Sequence, residues 1–187
     1  MALSYTDIVA LIEKRATTQY GRESVSQMEH ALQCAHLSEL AGESDESIVA
    51  ALLHDFGHLL AAENEGVADV TLERDDLHQY VALPFLRGAL PNAVLEPIRM
   101  HVDAKRYLCG AEPDYWASLS DASKHSLELQ GGAFQATELV TFISQPYAKE
   151  AVRLRRYDDL AKVPGKPTPH LGYFASKLQL LMHNTRN

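Results

Sequence analysis

Several features are scarce in this 187-residue chain, and each scarcity excludes a class of protein. Its two cysteines, Cys34 and Cys109, form no CxxC pair, which is typical of a reducing compartment and indicates no thiolate metal site. No apolar run approaches the roughly 20 residues that cross a bilayer. The first residues also lack a basic segment followed by an apolar block, so no signal peptide is predicted. We therefore expect a cytoplasmic protein that does not insert into membranes.

Positive charge is also scarce. The chain has 17 Lys and Arg against 25 Asp and Glu, which gives a net charge of −8 and argues against non-specific nucleic-acid binding. With 46% hydrophobic and 22% charged residues, the composition is that of an ordinary globular protein. A chain of this length is expected to form a single domain, residues 1–187, with a core of its own. The sequence indicates no obligate protein partner.

Alternating strand patterns, repeats and low-complexity segments are not found, and apolar residues instead recur at helical spacing. The predicted helices are 5–19, 26–42, 43–62, 75–87, 91–102, 119–130, 135–144, 147–161 and 169–183, with loops at 63–73 and 105–117. Ser26 and Glu29 form a predicted capping box at the start of the second helix. The sequence therefore predicts an all-α bundle of around eight helices.

The most informative stretch runs from Leu52 to Leu60 and holds His54, Asp55 and His58 among apolar residues. On a helix, His54 and His58 lie one turn apart on the same face. Imidazoles and carboxylates in a core are costly unless something pairs with them, and a metal ion does so directly. The alternative is a polar helix edge that happens to carry two histidines.

Other candidates occupy predicted inner positions on different helices. The full set is His30, His54, Asp55, His58, His78, His101 and Asp158, whereas His36, His125, His170 and His183 have no evident partner and are taken as surface or capping residues. Helical bundles build metal sites from facing helices in this way. Imidazole and carboxylate ligands without thiolate suit iron, manganese, zinc or nickel. Each histidine alone could be a satisfied core residue, but the set together indicates a metal site.

The order of His30, the pair His54-Asp55 and the distant Asp158 resembles the H…HD…D pattern of the HD-domain superfamily, whose members are all-α and hold metal in the bundle. His78 and His101 make the chain similar to the mixed-valence di-iron oxygenases of that superfamily, the branch that contains myo-inositol oxygenase, and within it to the organophosphonate oxygenases. The resemblance covers essentially the whole chain and includes Tyr20…Glu23, Glu29-His30, His54 to His58, His78, His101…Lys105 and Arg155…Asp158.

This resemblance implies two iron ions, Fe(II) and Fe(III), with O2 as co-substrate. One iron would be bound by His30, His54, Asp55 and Asp158, and the second by His78 and His101, with Asp55 as the bridge. Asp158 is preferred to Asp159 because it precedes Lys162 by four residues, as the family's ligand precedes a lysine. Tyr20 would occupy the open site of the second iron before substrate arrives.

The resemblance also implies a small phosphonate substrate, 2-amino-1-hydroxyethylphosphonate, which is cleaved to glycine and phosphate. Glu23 would receive the substrate amine. The phosphonate would be bound by His58, Lys105, Ser123, Ser126 and Arg155. Tyr20, Asp55 and His58 are the expected catalytic residues.

Three alternatives accompany this hypothesis. The first is an oxygenase for the N-trimethylated analogue, giving glycine betaine and phosphate, with Tyr5, Tyr107 and Trp116 as candidate aromatic walls. The second is a metal-dependent phosphohydrolase that needs only the first four ligands. The third is a catalytically silent HD-fold protein that binds a ligand and signals.

Overall fold

A computed structural model describes residues 2–21, 23–65 and 77–186. The helices are α1 (Tyr5–Lys14), α2 (Gln27–Leu40), α3 (Asp45–Leu53), α4 (Phe56–Glu65), α5 (His78–Val81), α6 (Leu83–Leu86), α7 (Asn92–Ala111), α8 (Tyr115–Ser118), α9 (Asp121–Leu129), α10 (Ala136–Ile143), α11 (Ala148–Leu160) and α12 (Leu171–Arg186). Only isolated bridges, and no strands, occur in these residues, which confirms the all-α prediction. The predicted capping box is present, since Ser26 Oγ accepts from the Glu29 N–H and Glu29 accepts from the Ser26 N–H.

The helix count exceeds the prediction partly because the predicted third helix is divided. Helix α3 ends at Leu53 and α4 begins at Phe56, so His54 and Asp55 lie in the turn between two helices. At this turn the His54 ring bonds the Ala51 carbonyl, the group that an uninterrupted helix would pair with the Asp55 N–H. The single helix predicted across this stretch is therefore wrong.

The predicted loop at 105–117 is also wrong over its first half, because α7 continues to Ala111. Gly110, one of the residues that favoured a loop in the sequence, lies instead in the last turn of this helix. A Cβ atom there would lie 2.3 Å from the Phe134 carbonyl oxygen. Glycine at this position therefore permits a close approach of two backbones.

Other boundaries differ by smaller amounts. The helix predicted at 75–87 forms two short helices, α5 and α6, with Pro84 in the first turn of α6. Its predicted start at Asp75 lies outside the described residues, as does the predicted loop from residue 66 onwards. The last helix begins at Leu171, two residues beyond Pro169.

Four helices, α2, α3, α7 and α11, pack against one another at the centre of the fold. Their inner faces carry a core of small and branched residues, and α3 is buried from Ile48 to Leu53. Helices α1 and α12 cover one side of this core, and α5 packs against α4 and α7. Because His30, Asp55, His101 and Asp158 lie on or beside the four central helices, the packing brings them together. Among the described residues, no helix is both long and apolar enough to span a membrane.

Candidate metal centre

Asp55 lies between two pairs of imidazoles, and one of its carboxylate oxygens faces each pair. Its Oδ2 atom lies 3.3 Å from His54 Nε2 and 3.7 Å from His30 Nε2. Its Oδ1 atom lies 3.2 Å from His78 Nε2 and 3.6 Å from His101 Nε2. A carboxylate in this position can bridge two metal ions.

Backbone carbonyl groups hold three of these imidazoles through Nδ1. The pairs are His30 with Ala161 at 2.9 Å, His54 with Ala51 at 2.9 Å and His101 with Ile98 at 2.7 Å. Since a carbonyl oxygen only accepts, each Nδ1 carries the proton and each Nε2 presents a lone pair to the cluster. Metal-binding histidines are fixed in tautomer and orientation in this way.

The donor atoms fit a metal centre. The Nε2 atoms of His30 and His54 lie 3.2 Å apart. With both rings neutral and protonated on Nδ1, their lone pairs repel unless a metal ion or a proton lies between them. Two buried carboxylate oxygens, Asp55 Oδ2 and Asp158 Oδ1, have no hydrogen-bond partner among the described residues. Buried polar atoms are normally satisfied, so these oxygens indicate a missing electropositive partner. Two groups here have ligand atoms close enough together to hold a metal ion: His30 with Cys34 and His54, and Asp55 with His58 and His78.

Burial and neighbouring groups act in opposite directions on the carboxylates. Burial raises the pKa of Asp55, but His54 and the other imidazoles lower it more, so the pKa lies well below its usual value. Burial also raises the pKa of Asp158, and Arg155 reverses this shift to leave the pKa well below the ordinary range. Burial lowers the pKa of His101 to about 4. Anionic carboxylates and a neutral imidazole are the forms that bind metal.

Asp158, and not Asp159, faces the imidazoles. Asp158 Oδ1 lies 3.4 Å from His30 Nε2. Asp159 accepts hydrogen bonds from the Tyr115 hydroxyl and from Arg155. Arg155 also contacts Asp158, with Nη1 2.7 Å from Oδ2, so its terminal nitrogens hold both carboxylates. Its buried Nε has no hydrogen-bond partner in the part of the chain that the structure describes.

Tyr20 and His58 stack on imidazoles from opposite imidazole pairs. The Tyr20 ring lies on the His30 ring, with 3.8 Å between centroids and 12° between planes. Burial, Asp158 and then Asp55 raise the pKa of Tyr20 well above its usual value. His58 lies on the His78 ring at 4.0 Å, with its Nε2 3.9 Å from Asp55 Oδ1. Both side chains therefore border the cluster.

Lys105 is the most deeply buried lysine near the cluster, with 2% of its surface exposed. Its Nζ donates to Ser126 Oγ at 2.6 Å, and that hydroxyl donates to the Ser123 carbonyl at 3.1 Å. Burial and, secondarily, Arg155 lower the pKa of Lys105 to about 7. The predicted phosphonate residues Lys105, Ser123 and Ser126 are thus brought together.

Glu23 lies in a polar cluster with a lysine that the sequence analysis did not include in the site. Glu23 Oε1 accepts from Lys162 Nζ at 2.9 Å and from Ser120 Oγ at 2.6 Å. Lys162 Nζ also donates to Ser123 Oγ at 2.9 Å. Burial raises the pKa of Glu23, but the hydrogen bonds from Ser120 and Lys162 together with the charge of Lys162 lower it by more, so the net shift is downward. Glu23 is therefore ionised and already paired.

Each of these partners has one local signal in the sequence. Lys162 follows Asp158 by four residues, and Ser120 precedes Asp121 as the N-cap of α9. Neither signal reveals that both side chains meet Glu23, because Glu23 is about 100 residues away from Ser120 along the chain.

Cys34 also lies near the cluster, contrary to the inference that the cysteines have no place there. Its Sγ is 3.7 Å from His30 Nε2, and His30, Cys34 and His54 could hold a metal ion. Burial and the carboxylates of Asp158 and Asp55 raise the pKa of this thiol well above its usual value. Cys34 follows His30 by four residues on α2, so helical spacing alone places both side chains on one face of the helix and could have identified this contact.

Each candidate aromatic wall has contacts of its own, and Tyr5 packs against the hydrophobic core. Tyr107 packs against Phe142 with 5.2 Å between ring centroids. Lys124 Nζ lies 4.9 Å from the Trp116 ring centroid, and Trp116 is half exposed. Among the described residues, these contacts give no support to an aromatic enclosure for a trimethylammonium group.

Comparison with known proteins gives two named relatives. The chain is 41% identical over 180 residues to a hydroxymethylphosphonate dioxygenase of Gimesia maris, which covers 96% of this chain and 89% of that protein. It is 35% identical over 175 residues to a 1-hydroxy-2-(trimethylamino)ethylphosphonate dioxygenase (glycine-betaine-forming) of Leisingera caerulea, which covers 94% of this chain and 88% of that protein. No protein family model matches the chain.

Proposed function

Because this chain belongs to the phosphonate dioxygenase family, we propose that it uses two irons and O2 to cleave the carbon–phosphorus bond of a small 1-hydroxyphosphonate. The position of Asp55 carries the proposal. Its two oxygens face separate imidazole pairs at 3.2–3.7 Å. A single-metal phosphohydrolase has no use for the second pair, His78 and His101.

The proposed ligands fall into two groups that share Asp55. The first iron would be held by His30, His54, Asp55 and Asp158, and the second by Asp55, His78 and His101. When bound, the iron pair supplies Lewis acidity and the one-electron chemistry that O2 requires. The backbone carbonyls that fix the imidazoles hold the ligand geometry before any metal binds.

The proposed reaction balances without an external reductant. One 2-amino-1-hydroxyethylphosphonate and one O2 give one glycine and one phosphoric acid. The carbon–phosphorus bond and the covalent C1–H bond break, and each product gains one oxygen atom from O2. The four electrons that reduce O2 come from the substrate carbon.

The chain's own residues bind and orient the phosphonate in this proposal. Lys105 supplies a cation beside the hydroxyl of Ser126, and Arg155 contributes its Nε donor. Charge-assisted hydrogen bonds of this kind are the strong ones for phosphonate oxygens. His58, which borders His78 from outside, adds a further donor. Tyr20 covers the cluster from the His30 side and must yield when substrate arrives.

Two substrates fit the proposal, and the atoms around Glu23 separate them. The sequence-based candidate is 2-amino-1-hydroxyethylphosphonate, supported by the ionised carboxylate of Glu23, which an ammonium group can approach. The second candidate is hydroxymethylphosphonate, which has no amine, and the ion pair between Glu23 and Lys162 favours it. A cytoplasmic location, and action without an obligate protein partner, are part of the same proposal.

The test is aerobic incubation of iron-loaded protein with each substrate. We expect phosphate and glycine in equal amounts from the aminated substrate, or phosphate and formate from hydroxymethylphosphonate, with one O2 consumed per phosphate. The matched control is the same mixture under nitrogen, where phosphate release should stop after less than one turnover.

The competing phosphohydrolase predicts the opposite pattern. Oxygen-independent release of phosphate from phosphomonoesters, with no release from either phosphonate, would contradict the oxygenase proposal. The metal content gives a second criterion. Two irons per chain are expected, whereas one divalent ion per chain would favour hydrolysis.

A further inference from the structure

Lys162 joins three elements that border the metal-binding cluster. It follows the end of α11, directly after Ala161, whose carbonyl accepts from His30 Nδ1. Its Nζ lies 2.9 Å from Glu23 Oε1, 2.9 Å from Ser123 Oγ and 3.3 Å from Ser120 Oγ. Its side chain is only 13% exposed, so solvent screens the ion pair with Glu23 weakly.

The ion pair cancels the charge that a substrate amine would seek. Glu23 is the acidic side chain in this polar cluster, and its Oε1 receives hydrogen bonds from both Lys162 and Ser120. A primary ammonium group that approaches Glu23 therefore also approaches the Lys162 ammonium. The attraction to one group and the repulsion from the other nearly offset each other.

We propose that Lys162 determines specificity by competing with a substrate amine for the carboxylate of Glu23. While Lys162 is paired with Glu23, phosphonates without a cationic group at the second carbon bind about as tightly as aminated ones. Without Lys162, the carboxylate is available to an ammonium group, and aminated phosphonates gain affinity. This inference rests on the proposed function, because it assigns the substituent that the same site selects.

Lys162 acts on substrate choice rather than on the reacting carbon. Its contacts are with Glu23 and two serine hydroxyls, and its Nζ lies 6.0 Å from the Tyr20 ring centroid. Specificity is a difference between two affinities. A general weakening of phosphonate binding on removal of Lys162 would lower both affinities and leave their ratio unchanged, so the ratio isolates the proposed role.

The experiment uses a matched pair of ligands that differ in one amine. Iron-loaded protein is titrated calorimetrically under nitrogen with 2-aminoethylphosphonate and with ethylphosphonate. The measured quantity is the affinity for the aminated ligand divided by the affinity for the other. We expect Lys162→Met to raise this ratio roughly tenfold, because one partner of a weakly screened ion pair is removed.

Companion variants connect the effect to Glu23. Lys162→Gln retains a donor for Ser123 and should raise the ratio in the same direction, which also covers the case in which the methionine variant folds poorly. Glu23→Gln added to Lys162→Met should cancel the gain. Lys166→Met, four residues further along the same connector, should leave the ratio at its wild-type value.

An unchanged ratio in both Lys162 variants, or a ratio that falls, overturns the inference. A gain that persists in the double variant also overturns it, because the amine would then be recognised without Glu23. The measurement needs no turnover. Failure of the wild-type protein to consume any phosphonate with O2 would therefore reject the proposed function without deciding this result.

Discussion

Gly57 lies so close to His78 that a Cβ atom at position 57 would be 2.0 Å from the His78 carbonyl oxygen. Backbone at Gly57 therefore packs directly on the segment that carries one of the candidate ligands. Asp55 precedes Gly57 by two residues, and its Oδ1 lies 3.2 Å from His78 Nε2. The missing side chain at Gly57 is what allows Asp55 and His78 to come within this distance.

Substitution Gly57→Ala should displace His78 and weaken the second metal site. We expect iron content to fall from two towards one per chain, and the free energy of unfolding to drop by about 1–3 kcal/mol because the contact is overpacked. Metal analysis and thermal unfolding measure both effects. Gly172→Ala is the matched control, since a Cβ there meets only the His170 side chain at 3.1 Å. Two retained irons in Gly57→Ala would contradict this prediction.

Substitution His101→Ala should remove the second iron while the first is retained. Because the other pair keeps Asp55 and Asp158, the variant should still bind one metal. Its oxygenase activity should fall by more than about 100-fold, since loss of a ligand exceeds the cost of losing a residue that supports one. The control is His170→Ala, at an exposed position before α12. Full activity in His101→Ala would exclude the six-ligand arrangement.

The pH dependence of phosphonate capture should reflect Lys105. Its pKa is lowered to about 7, mainly by burial, so the side chain is cationic below that pH and neutral above it. The value of kcat/KM should therefore fall as pH rises through 7, because it reports the free enzyme. The substrate also titrates, and Lys105→Arg separates the two effects because arginine keeps its charge. An identical profile in Lys105→Arg would assign the fall to the substrate.

Tyr20→Phe tests the predicted contact between Tyr20 and iron. The pKa of Tyr20 is raised well above its usual value by burial and by the carboxylates of Asp158 and Asp55, so a phenolate requires a cation beside it. Iron-loaded wild type should show a visible phenolate-to-iron absorption band that phosphonate substrate bleaches. The variant should lack the band and still contain two irons. Tyr173→Phe, on the exposed side of α12, should leave the band intact.

Local patterns predicted some of the helices well and failed at specific residues. The side chains of Ser26 and Glu29 each accept a hydrogen bond from the other residue's backbone N–H. Their capping box can therefore be predicted from a stretch of four residues. Gly110 shows the limit of such patterns. It contributed to the prediction of a loop over residues 105–117, but it lies in the last turn of α7, where the close approach of Phe134 from another part of the chain requires a glycine.

The candidate site likewise combines features that local patterns predict with contacts that they do not. The residue types and their spacing on the chain indicated which imidazoles and carboxylates to consider, and a choice between Asp158 and Asp159 followed from a resemblance. In the structure Asp158 faces the imidazoles, whereas Asp159 pairs with Tyr115, which is 44 residues away. No local pattern contains that contact.

The sequence by itself determined an all-α protein with a cluster of imidazoles and carboxylates, because helical periodicity and buried polar residues are local properties of a chain. The resemblance implied that Asp55 is shared by two imidazole pairs, and the tertiary structure alone decided the distances and orientations within the cluster. The division of Asp55 between two imidazole pairs and the capture of Glu23 by Lys162 depend on helices that meet from distant parts of the chain. Distances of about 3 Å between such residues arise from tertiary packing, which the residue spacing within any one segment does not predict.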